Sequence, residues 1–330
     1  MYAFKLLPLF FAISLNAGQF SLLFYNDYFA RKDQHFTNGI CLSWLENLPL
    51  STDLNNSNTK NSPMNEPKNQ PPSILAGTSK KYSVGLSLSQ VLITPKETTL
   101  STPQYNDMPY VGYLNTSLYL FEWNEKSFRE YRIELGVVGE EAGAEFTQNS
   151  FHVVIKNPKL AGWDTQLGTQ YTANALFRYG ETSWQSSSLK GFDMDWFNHF
   201  GLEAGNFSTN TFAGTMFRIG KNYRKNFNVH YPYLKEEASL LRLDTQKQRF
   251  GWSFSSGINT QLLAYSYILD EAKKEGYAVK SNIFNASLYA GTELYYGPSK
   301  LTFFYQVQSP YNLYYKQASV SGGFNYVFEF

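Results

Sequence analysis

Three short stretches carry the residue types that hydrolytic chemistry needs. Asn26 and Asp27 stand side by side. His35-Phe36-Thr37-Asn38-Gly39 comes next. Gln148 and His152 stand four positions apart, far along the chain. A neutral histidine can take a proton from water near pH 7, because its unperturbed pKa is about 6.5. A carboxylate with neighbouring oxygens suits a hard cation such as calcium. Such a cation polarises an ester carbonyl and stabilises the oxyanion. Asn and Asp are also favoured in turns, and His152 by itself reads more readily as a surface loop histidine. Residue type alone leaves both readings open. What decides between them is whether the chain brings these stretches together.

The elements available to do so are strands. Phe20, Leu22 and Phe24 alternate with Ser21, Leu23 and Tyr25. Ile40, Leu42 and Trp44 alternate with Gly39, Cys41 and Ser43, and Tyr82 to Leu88 alternates with serines and a glycine. Period-two alternation puts one set on each face of a strand. Each strand then has a lipid-compatible face and a small or polar face. The pattern predicts twelve strands, at 20–27, 36–46, 81–93, 109–122, 128–139, 166–182, 194–205, 211–221, 249–266, 281–296, 299–308 and 318–330. An even number suits a bacterial barrel. With both termini periplasmic, the loops after strands 1, 3 and 5 are extracellular. Asp27, Thr37 and His35 then share inward parity near one rim, and 140–165 forms a short helical or irregular extracellular loop that carries Gln148 and His152. A 26-residue loop of this kind is more often functional than idle.

The ends of the chain agree. Residues 1–17 read as a signal peptide, with Lys5 ahead of an apolar core from Leu6 to Leu15. The remainder, 18–330, reads as one outer-membrane β-barrel domain. Phe324, Tyr326, Phe328 and Phe330 alternate to the last residue, as in the C-terminal assembly signal of bacterial outer-membrane barrels. Residues 49–79, rich in Asn, Ser, Pro and Lys, have a disordered composition and would form a periplasmic turn.

Composition excludes several classes. The net charge is +1, without the basic excess of a nucleic-acid-binding protein. One cysteine excludes a disulfide framework. Charged residues are 17%, against about 25% in soluble proteins, while aromatic residues reach 18%. That combination fits a membrane barrel, in which every second strand residue meets lipid.

With strands and motifs in order, the sequence resembles the lipid A 3′-O-deacylase family (LpxR type) of outer-membrane barrel enzymes. The matching pieces are Tyr25-Asn26-Asp27, Phe36-Thr37-Asn38-Gly39, Gln90 with Thr94-Pro95, and the run from Ile133 to Leu167. That run holds Leu135-Gly136-Val137-Val138-Gly139, Gln148-Asn149, His152, Gly162-Trp163 and Gln166-Leu167. The resemblance implies a twelve-stranded barrel that uses calcium to remove the 3′-linked acyl or acyloxyacyl chain of lipid A, the lipopolysaccharide anchor, in the outer leaflet. His152 would be the general base. Asp27, Asn26 and Thr37 would form the calcium site, and Gln148 would complete the metal and oxyanion environment. Two positions depart from the family pattern. A functional lysine of some members falls near Leu100, with Lys96 close by, and an acidic residue six positions after the histidine is here Pro158. Arg31, Lys32 and Lys96 are the candidates for holding an anionic headgroup.

Two other readings compete. His35-x-Thr37-Asn38-Gly39 is similar to the His-x-Ser-Asn-Gly motif of outer-membrane phospholipase A, with Thr in place of Ser. A non-enzymatic pore or adhesin would need only the barrel.

Overall fold

The computed structural model describes residues 18–27, 38–48, 80–154, 156–189, 191–223, 227, 249–315 and 317–330. The segments expected as a signal peptide, 1–17, and as a turn, 49–79, lie outside them, as do His35, Thr37, Arg31 and Lys32. Twelve antiparallel strands form a closed barrel. They are β1 Gly18–Asn26, β2 Asn38–Leu48, β3 Lys81–Ile93, β4 Val111–Trp123, β5 Ser127–Val138, β6 Gln170–Leu189, β7 Phe192–Gly205, β8 Ser208–Lys221, β9 Gly251–Ser266, β10 Phe284–Tyr296, β11 Ser299–Gln308 and β12 Ser319–Glu329. All twelve expected strands are present. Each pairs with its sequence neighbours, and β1 pairs with β12, so no edge is left open. Phe330 completes the seam: it exchanges backbone hydrogen bonds of 3.0 Å with Gly18 in both directions.

Alternation decides the faces. On β4, Tyr113, Asn115, Ser117, Tyr119 and Phe121 are buried, while Leu118 and Leu120 are exposed. Odd residues therefore fill the interior and even residues meet lipid. On β5 the order inverts: Glu130, Arg132 and Glu134 are buried between exposed Tyr131, Ile133 and Leu135.

The interior is packed. Leu45, Tyr119, Phe121, Trp123, Phe128, Phe197 and Phe227 form an apolar cluster towards the periplasmic end. Buried ion pairs share the interior with it. Arg178 pairs with Glu130, Arg218 with Asp195 at 2.6 Å, and Lys300 with Glu293 at 3.4 Å. Charges taken out of water are costly unless paired, and these are paired across neighbouring strands. At the outer end, Leu23, Tyr25, Val91, Val111 and Tyr113 join a second apolar cluster. Helix α2 (Tyr267–Lys274) closes it from above with Tyr267, Ile268, Leu269 and Ala272. Loop 94–110 braces that cap: Tyr105 receives the Ala278 amide, and Asp107 receives the Tyr315 hydroxyl.

Between β5 and β6, helix α1 (Ala144–Val154) follows a 3-10 turn at Glu140–Ala142. This is the irregular-to-helical loop expected near 140–165. Gly139 leaves β5 at φ 98°, and a side chain there would meet the Leu167 and Thr169 backbone at 2.9 Å. Only glycine fits that conformation and that gap together.

Candidate active site at the outer rim

Helix α1 is held on the outside of the barrel wall. Gly112 has the lipid-facing parity of Leu118 and Leu120, and a methyl group there would meet the Ala144 Cβ at 2.6 Å. Gln90, outward on β3, donates to the Ala142 carbonyl at 2.6 Å. Leu92, also outward, is fully buried with Tyr110, Ala144, Leu160 and Trp163. These five residues are a satellite core between barrel wall and loop. The return segment closes on the same core, since the Leu160 amide donates to the Asn149 side chain at 3.0 Å. The loop thus reaches the rim from the lipid side. The inward parity of Asp27 had suggested a meeting over the mouth of the lumen, a place that α2 and its neighbours fill instead.

Within α1, Gln148 and His152 are one turn apart and share the face towards the wall. Gln148 is 4% exposed, and its Nε2 lies 3.1 Å from His152 Nε2. His152 Nδ1 lies 2.6 Å from the Pro158 carbonyl oxygen. A carbonyl only accepts, so Nδ1 carries the proton. Nε2 then holds the lone pair, and the Gln148 amide donates to it. The ring is clamped at both nitrogens in the tautomer that leaves Nε2 basic.

At the end of β1, Asn26 is 9% exposed and Asp27 1% exposed. Tyr25 lies opposite Gly39, which puts Asn26 beside Asn38 on the outward row. The row continues from Asn38 to Leu92 and from Leu92 to Gly112, beneath the α1 loop. Asn38 is buried, and its Oδ1 has no hydrogen-bond partner among the described residues; the same holds for Gln148 Oε1. Buried polar oxygens are normally bonded, so each of these acceptors is able to take a bond from water or to face a cation. Asn38 stands in the Phe36-Thr37-Asn38-Gly39 motif, but the sequence reading gave it no role of its own. Its signal was present: it follows Thr37 directly and is an oxygen donor next to Asn26. Thr37 itself lies outside the described residues. Lys96 is exposed on loop 94–110, where its amide bonds Asp107.

The profile of a family described as "Outer membrane protein LpxR" matches residues 2–330. The chain belongs to the LpxR family. Among solved structures, LpxR from Salmonella typhimurium is similar at a TM-score of 0.73 and 16% identity, over 94% of this chain and 100% of that one. The Bordetella autotransporter BrkA β domain matches at a TM-score of 0.44 and 9% identity, over 94% of this chain and 98% of that one. The curated proteins returned no match. The protein is therefore an LpxR-type barrel of the bacterial outer membrane, embedded in that bilayer.

Proposed function

We propose that this LpxR-family barrel is a calcium-dependent lipid A deacylase. It hydrolyses the 3′-linked acyl or acyloxyacyl ester of lipid A in the outer leaflet. The observation that supports this most directly is the clamped imidazole of His152 on the lipid side of the wall, beside Gln148. A lipid ester can reach that side without leaving its leaflet.

His152 Nε2 is the general base. Water displaces the Gln148 amide from the lone pair and gives a proton to Nε2. Its oxygen bonds to the ester carbonyl carbon, and the carbonyl electrons move to oxygen. When the tetrahedral species collapses, the bond from acyl carbon to sugar oxygen breaks. The imidazolium returns the proton to that oxygen, giving a free acid and a sugar hydroxyl. The Pro158 carbonyl keeps the ring oriented throughout.

The oxygen donors fit calcium, which takes carboxylate, carbonyl and amide oxygens rather than nitrogen or sulfur. Asp27, Asn26 and Asn38 at the strand ends would hold it, with Thr37 from the adjoining segment. A bound calcium ion supplies Lewis acidity towards the ester carbonyl. The packed interior weighs against the pore reading, since apolar clusters fill both ends of the lumen.

Mass spectrometry of lipid A from cells expressing wild type, His152→Ala or neither tests the reading. A mass loss equal to a 3′ acyl or acyloxyacyl group, with wild type alone, supports it. Unchanged lipid A beside accumulating lysophospholipid would move the activity to glycerophospholipids. No change in either lipid, from a folded barrel supplied with calcium, would rule out the esterase.

A further inference from the structure

Helix α1 has a second face that the site does not use. Ala144 and Gln148 turn to the wall and are buried. Phe146 and Val153 lie seven residues apart, two helical turns, on the opposite side, with Val154 next to them. They are 78%, 60% and 77% exposed. A short extracellular helix in water gains nothing from such a face. We propose that this face of α1 is inserted among the acyl chains of the outer leaflet, so that the helix is a membrane-inserted wall of the site.

The height of the helix carries the argument. On the outward surface the lower edge of the apolar band is marked by charge. Glu122 pairs with Lys80 and with Arg129, each at 2.7 Å. An outer-membrane barrel has an apolar band about 25 Å tall, crossed by strands tilted about 40°. At about 3.4 Å per residue, the band takes roughly nine or ten residues of strand. Counted up β5 from Arg129, it ends near Val138 and Gly139. Every outward residue between, Tyr131, Ile133, Leu135 and Val137, is apolar or aromatic. Gly139 donates to the Gly112 carbonyl at 2.9 Å, and Gly112 is where the first turn of α1 touches the wall. The helix therefore starts at the upper edge of the band, outside the barrel, with its far side turned to lipid. Its exposed apolar side chains, Phe146, Val153 and Val154, continue the lipid-facing surface of β5, with exposed Ser150 as a small polar residue among them and Glu145 at the first turn. The occupant of that face is the leaflet itself.

Cys41, the single cysteine, is buried inside the barrel. A Cys41→Ser background thus gives clean labelling sites. Phe146→Cys and Val153→Cys would each carry a nitroxide in the full-length barrel, refolded into phosphatidylethanolamine–phosphatidylglycerol vesicles. Heat-modifiable gel mobility selects folded protein. Collision with oxygen, which concentrates in hydrocarbon, is compared with collision with a water-soluble nickel chelate. Leu135→Cys gives the lipid reference and Glu97→Cys the water reference. Both helix labels are expected to match Leu135, with an oxygen-to-nickel ratio several-fold above Glu97. A ratio matching Glu97 at both sites would overturn the proposal. So would dipolar broadening between labels on different chains, which would make a second copy the occupant. Neither result bears on whether the site cleaves lipid A.

Discussion

The Pro158 carbonyl oxygen accepts a hydrogen bond from His152 Nδ1 at 2.6 Å. A backbone oxygen thus does the orienting at the position where the family resemblance led one to look for a carboxylate. It fixes the tautomer without adding a negative charge beside the ring. Proline stiffens the backbone that presents it. Pro158→Gly should loosen that carbonyl while leaving the barrel folded. A hydrogen bond contributes about 1 to 1.5 kcal/mol, so kcat for lipid A deacylation should fall about tenfold. KM should change little. Steady-state kinetics on purified lipid A would check this, with His152→Ala, expected at least about a hundredfold slower, as the floor.

Gln148 holds the other nitrogen. Gln148→Ala removes the amide that donates to Nε2 and the acceptor that faces the site. The expected loss is again about tenfold in kcat. Gln148→Glu puts an acceptor against an acceptor while His152 is neutral, and should be worse than the alanine variant at neutral pH.

Calcium should be removable. A chelator should abolish activity, and added calcium should restore it. Asp27→Asn keeps the size and removes the charge, so it should raise the calcium concentration needed for half-maximal activity. Asn38→Ala should do the same to a smaller degree, since it removes a neutral oxygen. Activity of both variants across a calcium titration separates this from a loss of folding. A wild-type enzyme indifferent to chelation would remove the metal from the proposal.

The docking of α1 can be tested without touching chemistry. Gly112→Val forces a branched side chain into the Ala144 contact. Overpacking of this kind costs about 1 to 3 kcal/mol. Since the barrel is closed by its strands, the satellite core gives way first. Heat-modifiable mobility should be unchanged while activity falls about tenfold or more.

The packing at the outer rim has its own pH limit. Burial pushes the hydroxyl of Tyr110 up to about 12, and burial does the same to Tyr311. A raised tyrosine pKa means the folded form holds its proton more tightly than the unfolded chain. Their contribution is complete below about pH 10 and is lost as pH rises through about 12. Proteolysis of the outer loops should therefore accelerate between these values, while the barrel stays resistant. Tyrosinate absorbance would track the same window.

The strands were legible because each has a lipid face and an inner face, a constraint that writes period two into the sequence. Their ends were less so. The expectation started β6 at 166, yet Trp163–Thr165 forms a 3-10 turn and the strand begins at Gln170. It ended β6 at 182, but the polar run that follows pairs with β7 through irregular register up to Leu189. Start points on β8 also moved, from 211 to Ser208, past an irregularity at Thr209 and Asn210 that breaks the alternation. In the site, His152 and Gln148 announce themselves by type. Pro158 does not, because a backbone carbonyl leaves no trace in residue identity. The docking of α1 on the outer wall was also hidden. It depends on the absence of a side chain at Gly112 and on a core shared by Leu92, Tyr110 and Trp163, residues from three separate segments.

The lumen closed by α2 and the helix fixed to the outer wall together make the barrel a solid post with a working edge. A ligand of that edge is supplied along a surface, and its abundance counts per unit area rather than per volume. Turnover should therefore answer to how freely lipids exchange places around the post. Crowding, stiffening by divalent ions, or cooling of the leaflet would throttle the supply, even with every residue of the site in place.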